Sequence, residues 1–386
     1  MGGSIMIYFD NAATSWPKPP EVISAMTDFM ERAGANPGRS GHRMSLEAGR
    51  IVFNAREKVA ELFGIRDSSR VIFTVNGTYG INLGIKGLLK ERDRVVVTSM
   101  EHNSVMRPLR HLEEMKKIKL TVVQCRRDGQ LDLDDLRKAL EEKAALVIAT
   151  HASNVTGGIM PVKEIGRLVR EHDAVFLVDA CQSAGSLPID VEEMGIDLLA
   201  FTGHKGMLGP QGVGGLYIRE GIALEPLVQG GSGSNSEQEV QPEFLPDRYE
   251  SGTLNTVAIA GLGAGVEYLL KAGIKKVREK EKDLIRMLIE GMKQIEGIEV
   301  YGPEDAENRI AICSFNLKGK DAGHVGYLLD REFDIMCRVG LQCAPAAHRT
   351  IGTYPQGTVR FSLGYFNHEE EIDAALDALG KIREMV

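Results

Sequence analysis

Apolar residues recur every three or four positions over residues 21–32 and again over 46–63, the repeat of a helix that buries one face. A loop rich in Gly, Pro and Arg, residues 34–42, separates the two. After residue 63 the pattern changes to short, near-continuous apolar runs: 70–74, 94–98, 120–124, 145–150, 174–179 and 197–201. Helical stretches lie between them, the first over 79–89. Strands without polar alternation are buried on both faces, so the pattern predicts a mostly parallel sheet with helices on either side. The glycines and the proline between Phe201 and Leu216 argue against a regular element there.

From residue 229 to 252 the chain is rich in Gly, Ser, Glu and Pro and has no period, which predicts a long functional loop. Helical spacing returns over 256–294, with a break at Gly273. Strands are then expected at 298–301, 310–316, 335–339 and 358–363, with helices over 322–331 and from His368 onward. A short apolar run, 7–10, precedes the turn-like segment 11–20. The expected organisation is a larger α/β unit over residues 16–255 and a smaller α+β unit joining 1–15 to 256–386.

In parallel sheets of this kind ligands bind beyond the carboxyl ends of the strands. Four polar residues fall just past such ends: His102, Asn154, Asp179 and Lys205. A lysine at the lip of a sheet loses hydration, which lowers its pKa and frees its amine to react with a carbonyl. Alone, each of these residues reads as an ordinary turn or surface group; together they match what pyridoxal 5'-phosphate requires. Its phosphate needs N–H groups at a helix start, as at Asn76-Gly77-Thr78, with further contacts from Thr202 and His204. Its ring nitrogen needs a carboxylate, Asp179, and its ring oxygen a donor, Gln182. His102 is placed to cover the ring, and Lys205 to join the aldehyde.

Charge and cysteine usage narrow the alternatives. The 386 residues carry a net charge of −8 with no dense Lys/Arg run, so a nucleic-acid partner is not expected. No apolar run reaches membrane-spanning length, and no leader precedes Met6, so the expected location is cytoplasmic. Residues 275–282 alternate in sign and predict a solvated helix face. The five cysteines, Cys125, Cys181, Cys313, Cys337 and Cys343, include no Cys-x-x-Cys pair and are odd in number, which argues against a zinc site or a disulfide framework. Cys343 alone sits in an aperiodic Gly/Gln/Ala/Pro segment, the setting of an exposed thiol; the others read as small structural hydrophobes.

The motifs Asp10-Asn-Ala-Ala13, Gly77-Thr78, Glu101-His102, Ser153-Asn154, Val178-Asp-Ala-Cys-Gln182, Thr202-Gly-His-Lys205, Gly209-Pro-Gln-Gly212, Ser251-Gly-Thr253, Arg338-Val-Gly-Leu-Gln-Cys343-Ala344 and Val359-Arg360 resemble the class V branch of fold-type I pyridoxal-phosphate enzymes. Within that branch they resemble the cysteine desulfurase and selenocysteine lyase group. The resemblance implies a large cofactor-binding domain with a smaller C-terminal α+β domain. It implies that Lys205 binds the cofactor covalently and moves the substrate Cα proton, and that His102 stacks on the ring and relays a proton. Gly77, Thr78, Thr202 and His204 would hold the phosphate, joined by Thr253 from the other subunit of a homodimer. Arg360 and Asn154, with Ala13 and His42, would contact the substrate, L-cysteine or selenocysteine. Cys343 would be the nucleophile that receives the sulfur. Selenocysteine lyase, β-lyase and aminotransferase chemistry stand as alternatives, because each would use Lys205, Asp179 and Arg360. Relatives with two adjacent threonines in the phosphate turn differ from this chain, where Gly77-Thr78 supplies one hydroxyl. The short segment after Cys343 resembles that of desulfurases that pass sulfur to a dedicated acceptor protein.

Overall fold

The computed structural model describes residues 6–38, 41–234 and 237–385. Residues 1–5, on which the expectation of no leader rests, lie outside them. A seven-stranded sheet runs in the order Val71–Thr74, Gly214–Ile218, Leu198–Thr202, Val175–Asp179, Leu146–Thr150, Asp93–Thr98 and Ile118–Val123. Only Gly214–Ile218 runs against its neighbours. Alternate residues of one strand enter opposite cores: Phe176 and Val178 pack on one face, Leu177 on the other. The central strands are therefore buried along their whole length, which is why they read as continuous apolar runs.

The strand Gly214–Ile218 was not expected. Its glycines disguise it, and packing requires them: a Cβ on Gly215 would lie 2.3 Å from the Phe201 ring, and one on Gly214 2.7 Å from Phe201 O. A break in local propensity here serves a close approach of backbones. The strand expected at 335–339 is two short strands that join different sheets. Ile335–Met336 pairs with Ile7–Tyr8, whereas Arg338–Gly340 extends an antiparallel sheet with Thr358–Ser362, Ile312–Leu317 and Ile298–Tyr301. Phe9, Phe315 and Phe361 form the aromatic centre of that smaller core, with ring centroids 5.3 and 5.0 Å apart along the chain of contacts.

The helix Thr256–Ala272 buries Ala258, Ile259, Leu262 and Val266 in the core of the large sheet and packs on the helices Pro20–Arg32 and Arg43–Leu62. Its glycines permit that closeness; a Cβ on Gly263 would meet Ala55 Cβ at 2.9 Å. A division of the chain after residue 255 therefore cuts through one packed layer, and we place it instead at Gly273, where φ is 85°. The segment 275–282 also differs from a solvated face. Arg278 is buried and donates to the carbonyls of Arg309, Ala306 and Glu307. Glu281 is buried too, and burial raises its pKa to about 7. Arg278 thereby anchors the loop at 306–309 to the helix Ile274–Lys293.

Candidate active site

The carboxyl ends of the parallel strands converge on one cleft. It is lined by Asn76, Gly77, Thr78, His102, Ser104, Thr150, Ala152, Asn154, Asp179, Cys181, Gln182, Thr202, His204 and Lys205. Nine expected residues thus meet there: Gly77, Thr78, His102, Asn154, Asp179, Gln182, Thr202, His204 and Lys205.

One wall is the start of the helix Gly77–Leu88. Asn76 caps it by accepting from Tyr79 N at 2.9 Å. Among the described residues the N–H groups of Gly77 and Thr78 have no acceptor, nor do the hydroxyls of Thr78 and Thr202 have a partner. Free donors at a helix start make an anion cradle. Glycine is needed at its mouth, because a Cβ on Gly77 would lie 2.3 Å from Cys181 Sγ. Gly77→Ala is expected to cost about 1–3 kcal/mol through this overlap. The double variant Gly77→Ala, Cys181→Ala should recover most of that loss. Thermal unfolding of the three proteins checks it.

The opposite wall carries the charges. Asp179, 5% exposed, accepts from Cys181 N at 2.9 Å. Lys205 Nζ makes no hydrogen bond or ion pair among the described residues. Burial lowers its pKa, assisted by Arg360 and Arg338 and opposed by Cys181 and Asp179. The turn that bears Lys205 is clamped from the N-terminal segment. His204 O accepts from Ser15 N, Thr14 Oγ1 and Lys18 Nζ, and Lys205 O accepts from Ser15 Oγ at 2.9 Å. His204 Nδ1 is buried without a partner among the described residues, and burial, with Lys205 and Lys18, lowers its pKa to about 4. Gln182 Nε2 donates to Ala12 O at 3.1 Å.

His102 caps the helix Asn103–Glu114, its Nδ1 accepting from Ser104 N at 3.0 Å. Burial, helped by Lys205, Arg338 and Arg107 and opposed by Asp179, lowers its pKa to about 4. The preceding Glu101, given no role by sequence reading, is fully buried and ties two strands together. Its Oε1 accepts from Thr98 Oγ1 at 2.6 Å and Thr150 N at 3.0 Å, and burial raises its pKa to about 8.

These shifts predict an acid-sensitive fold. His102, His151, His204 and His348 are all lowered to about 4, chiefly by burial. Below the unfolded value of about 6.5, the unfolded chain binds protons that the fold excludes, so stability falls as pH drops from there toward 4. Glu101 and Glu281, raised to about 8 and about 7, act oppositely and cost stability as pH rises from about 4.5. The histidines outnumber them, so denaturant midpoints should be lower at pH 5 than at pH 6.5, then decline slightly by pH 8.

The remaining expected residues lie elsewhere. Arg360, 1% exposed, does not line the cleft directly; it donates to Asp10 Oδ1 at 2.7 Å and to Asn154 O at 3.0 Å, and its Nε is buried without a partner among the described residues. Asn154 is in the cleft, but its Nδ2 donates to Gln342 O at 2.7 Å. The structure does not bring Ala13, His42 or Thr253 into the cleft of their own chain. Ala13 N is used in the turn to Asp10 O, His42 caps the helix Arg43–Leu62 through Nδ1, and the hydroxyl of Thr253 faces Asn36 Nδ2 at 3.4 Å.

Cys343 is exposed. Arg338 Nη2 lies 3.5 Å from its sulfur, a positive charge facing the atom where negative charge must build. Arg338 was legible only as part of a motif, with no role attached. The segment after Cys343 is not aperiodic: Pro345–Ile351 forms a short helix that buries Ala347 and Ile351 in the large core. Cys337 and Cys313 are held in the smaller core, and burial raises both, Cys337 to about 12. Cys181 departs from a core role by lining the cleft beside Asp179.

The donor set fits pyridoxal phosphate on the evidence of its loose ends. Unpartnered N–H groups and hydroxyls at a helix start suit a phosphate, as does the unpartnered His204 Nδ1. A buried carboxylate and a half-buried amine without a hydrogen-bond partner among the described residues occupy the other side of the cleft.

A family model described as Aminotransferase class-V matches residues 7–375. A probable cysteine desulfurase of Methanothermobacter thermautotrophicus is 37% identical, over 98% of this chain and 95% of its own length. A cysteine desulfurase of Salmonella agona is 31% identical, over 100% of this chain and 95% of its own. Among solved structures, the apo cysteine desulfurase of Thermococcus onnurineus NA1 has a TM-score of 0.93 at 34% identity, covering 98% of this chain and 95% of that one.

Proposed function

The chain belongs to the class V aminotransferase family, in its cysteine desulfurase branch, and from that premise we propose that it removes sulfur from L-cysteine with pyridoxal phosphate, leaving alanine and a persulfide on Cys343. The observation that carries the reading is one of position. The cleft that suits the cofactor opens beside an exposed thiol, since Asn103 N, next to His102, donates to Cys343 O at 2.9 Å.

When bound, pyridoxal phosphate supplies an electron sink for charge that builds at the substrate Cα. Asp179 would keep a proton on the ring nitrogen, and Gln182 would serve the ring oxygen. Thr78, Thr202, His204 and the N–H groups of Gly77 and Thr78 would hold the phosphate. Lys205 Nζ, lowered in pKa by burial, is the group that takes the substrate Cα proton. Arg360 is the guanidinium for the substrate carboxylate, with its Nε the donor not yet engaged. His102, neutral at ordinary pH, is able to move a proton through Nε2.

Sulfur transfer then belongs to Cys343. Its thiolate attacks the substrate sulfur; an S–S bond forms and the substrate Cβ–S bond breaks. The electron pair of that bond goes to Cβ, which takes a proton and becomes the methyl group of alanine. The Cys343 sulfur and the substrate sulfur each lose one electron in forming the S–S bond and Cβ gains the two, with no outside oxidant or reductant. Arg338 stabilises the negative charge on the attacking sulfur.

The reading includes a homodimer, supported by Thr253 lying away from its own cleft and by exposed Ile23, Met30, Leu46 and Phe53 on the first two helices. It also includes a cytoplasmic setting, and an acceptor protein for the persulfide, the latter because the short helix after Cys343 keeps the thiol close to the body of the protein. Incubation with L-cysteine and, separately, selenocysteine tests the activity: alanine should appear from cysteine together with protein-bound persulfide. Keto-acid formation, or alanine from selenocysteine alone, would replace this reading with one of its rivals.

A further inference from the structure

Cys343 is exposed, yet its backbone is tightly constrained. Gln342 and Cys343 have φ of 41° and 59°, in the left-handed region that L side chains rarely adopt. Two such residues in succession persist only where the surroundings impose them. Here the surroundings are a closed polar network. Gln342 is 2% exposed, its Oε1 accepting from His348 Nε2 at 2.8 Å and its Nε2 donating to Thr358 O at 3.1 Å. His348, fully buried, has its Nδ1 2.7 Å from Thr353 Oγ1. A neutral imidazole satisfies both contacts, donating from Nε2 and accepting at Nδ1. Both carbonyls of the left-handed pair are bound: Gln342 O by Asn154 Nδ2 of the cleft wall at 2.7 Å, and Cys343 O by the N–H of Asn103, which lies between the cleft residues His102 and Ser104, at 2.9 Å. Ala344 N closes the turn onto Leu341 O at 2.8 Å.

We infer that Gln342 is a positioning residue for sulfur transfer: its amide, held by His348 and Thr358, fixes the left-handed turn that sets the Cys343 thiol against Arg338 and beside the His102 turn. The inference rests on the desulfurase reading above. Gln342 does not line the cleft that holds Lys205, so its contribution falls on the transfer of sulfur and not on the Cα proton step. A buried network of this kind specifies one geometry when every member is satisfied, and loses it when one is removed.

The test compares Gln342→Ala and His348→Ala with the parent holoprotein, given L-cysteine in deuterium oxide. Exchange of the substrate Cα hydrogen should stay within about twofold of the parent, while alanine and persulfide formation should fall by about tenfold or more. A cofactor-free arm measures alkylation of Cys343 by iodoacetamide at neutral pH, which should slow by about threefold or more once the thiol is no longer held against Arg338. Sulfur transfer within about twofold of the parent in both variants, or exchange and transfer falling together, overturns the inference. If the parent itself exchanges the Cα hydrogen yet forms no persulfide, the desulfurase reading fails, and the alkylation arm still decides: an unchanged rate in both variants removes the positioning role.

Discussion

Lys205→Ala lowers turnover of L-cysteine by about 10⁴-fold or more, the upper end of what a positioned proton-transfer group contributes, with loss of the covalent hold on the cofactor added. The effect should be chemical and not structural. Lys205 makes no side-chain hydrogen bond or ion pair among the described residues, and the turn around it is clamped through the carbonyls of His204 and Lys205, which alanine keeps. Asp179, Gln182, His204 and the helix start at Gly77 also remain. The variant should therefore melt close to the parent in the cofactor-free state, and still take up pyridoxal phosphate, but lose it on dialysis. Assays of alanine release and of cofactor retained after dialysis check both halves. Alanine release within tenfold of the parent would assign the proton step to another base, and His102 would be the first to examine.

Cys343→Ser separates the two halves of the reaction. A hydroxyl at this position keeps the size and the left-handed backbone but lacks a sulfur nucleophile. Alanine and persulfide formation should drop by about 10³-fold or more, the scale expected when a covalent nucleophile is lost. Exchange of the substrate Cα hydrogen, assigned in the proposed function to Lys205, should continue. Arg338 and Asn103, which contact the side chain and the carbonyl of residue 343, should be undisturbed. Measurement of deuterium uptake beside alanine release distinguishes this from general damage, in which both would fall. Full alanine release by the variant would show that sulfur leaves the substrate without Cys343, as in lyase chemistry.

The parallel core of the fold was legible because strands buried on both faces must be apolar throughout, and their polar successors stand out. That is how His102, Asn154, Asp179 and Lys205 are found without coordinates. The strand Gly214–Ile218 was hidden because close packing on Phe201 and Asn76 demands glycine where propensity would ask for a β-branched residue. The helix Pro345–Ile351 was hidden because seven residues are too few to show a period. The helix Thr256–Ala272 was recognised, but its allegiance to the large sheet depends on what its small residues touch, which spacing does not reveal.

The cleft itself was legible residue by residue, but its connections were not. Asn154 and Gln342 are 188 positions apart, and Arg360 and Asp10 are 350 apart. Nothing local in either segment marks the other as its partner. The same holds for Glu101, whose tie between two strands became visible only with Thr98 and Thr150 in place. The charged run 275–282 misled for a related reason. Alternating charge usually faces water, but here Arg278 is consumed by carbonyls from a loop distant in sequence.

The central claim is that an exposed thiol at the mouth of the cofactor cleft accepts the substrate's sulfur. A single turnover of the holoprotein with L-cysteine, without reductant or acceptor, followed by peptide mass mapping, tests it most directly. The account predicts one alanine released per active site and one additional sulfur atom on the peptide that contains Cys343, absent from those containing Cys125, Cys181, Cys313 and Cys337. Alanine formed with free sulfide and an unmodified Cys343, or a persulfide on another cysteine, would contradict it.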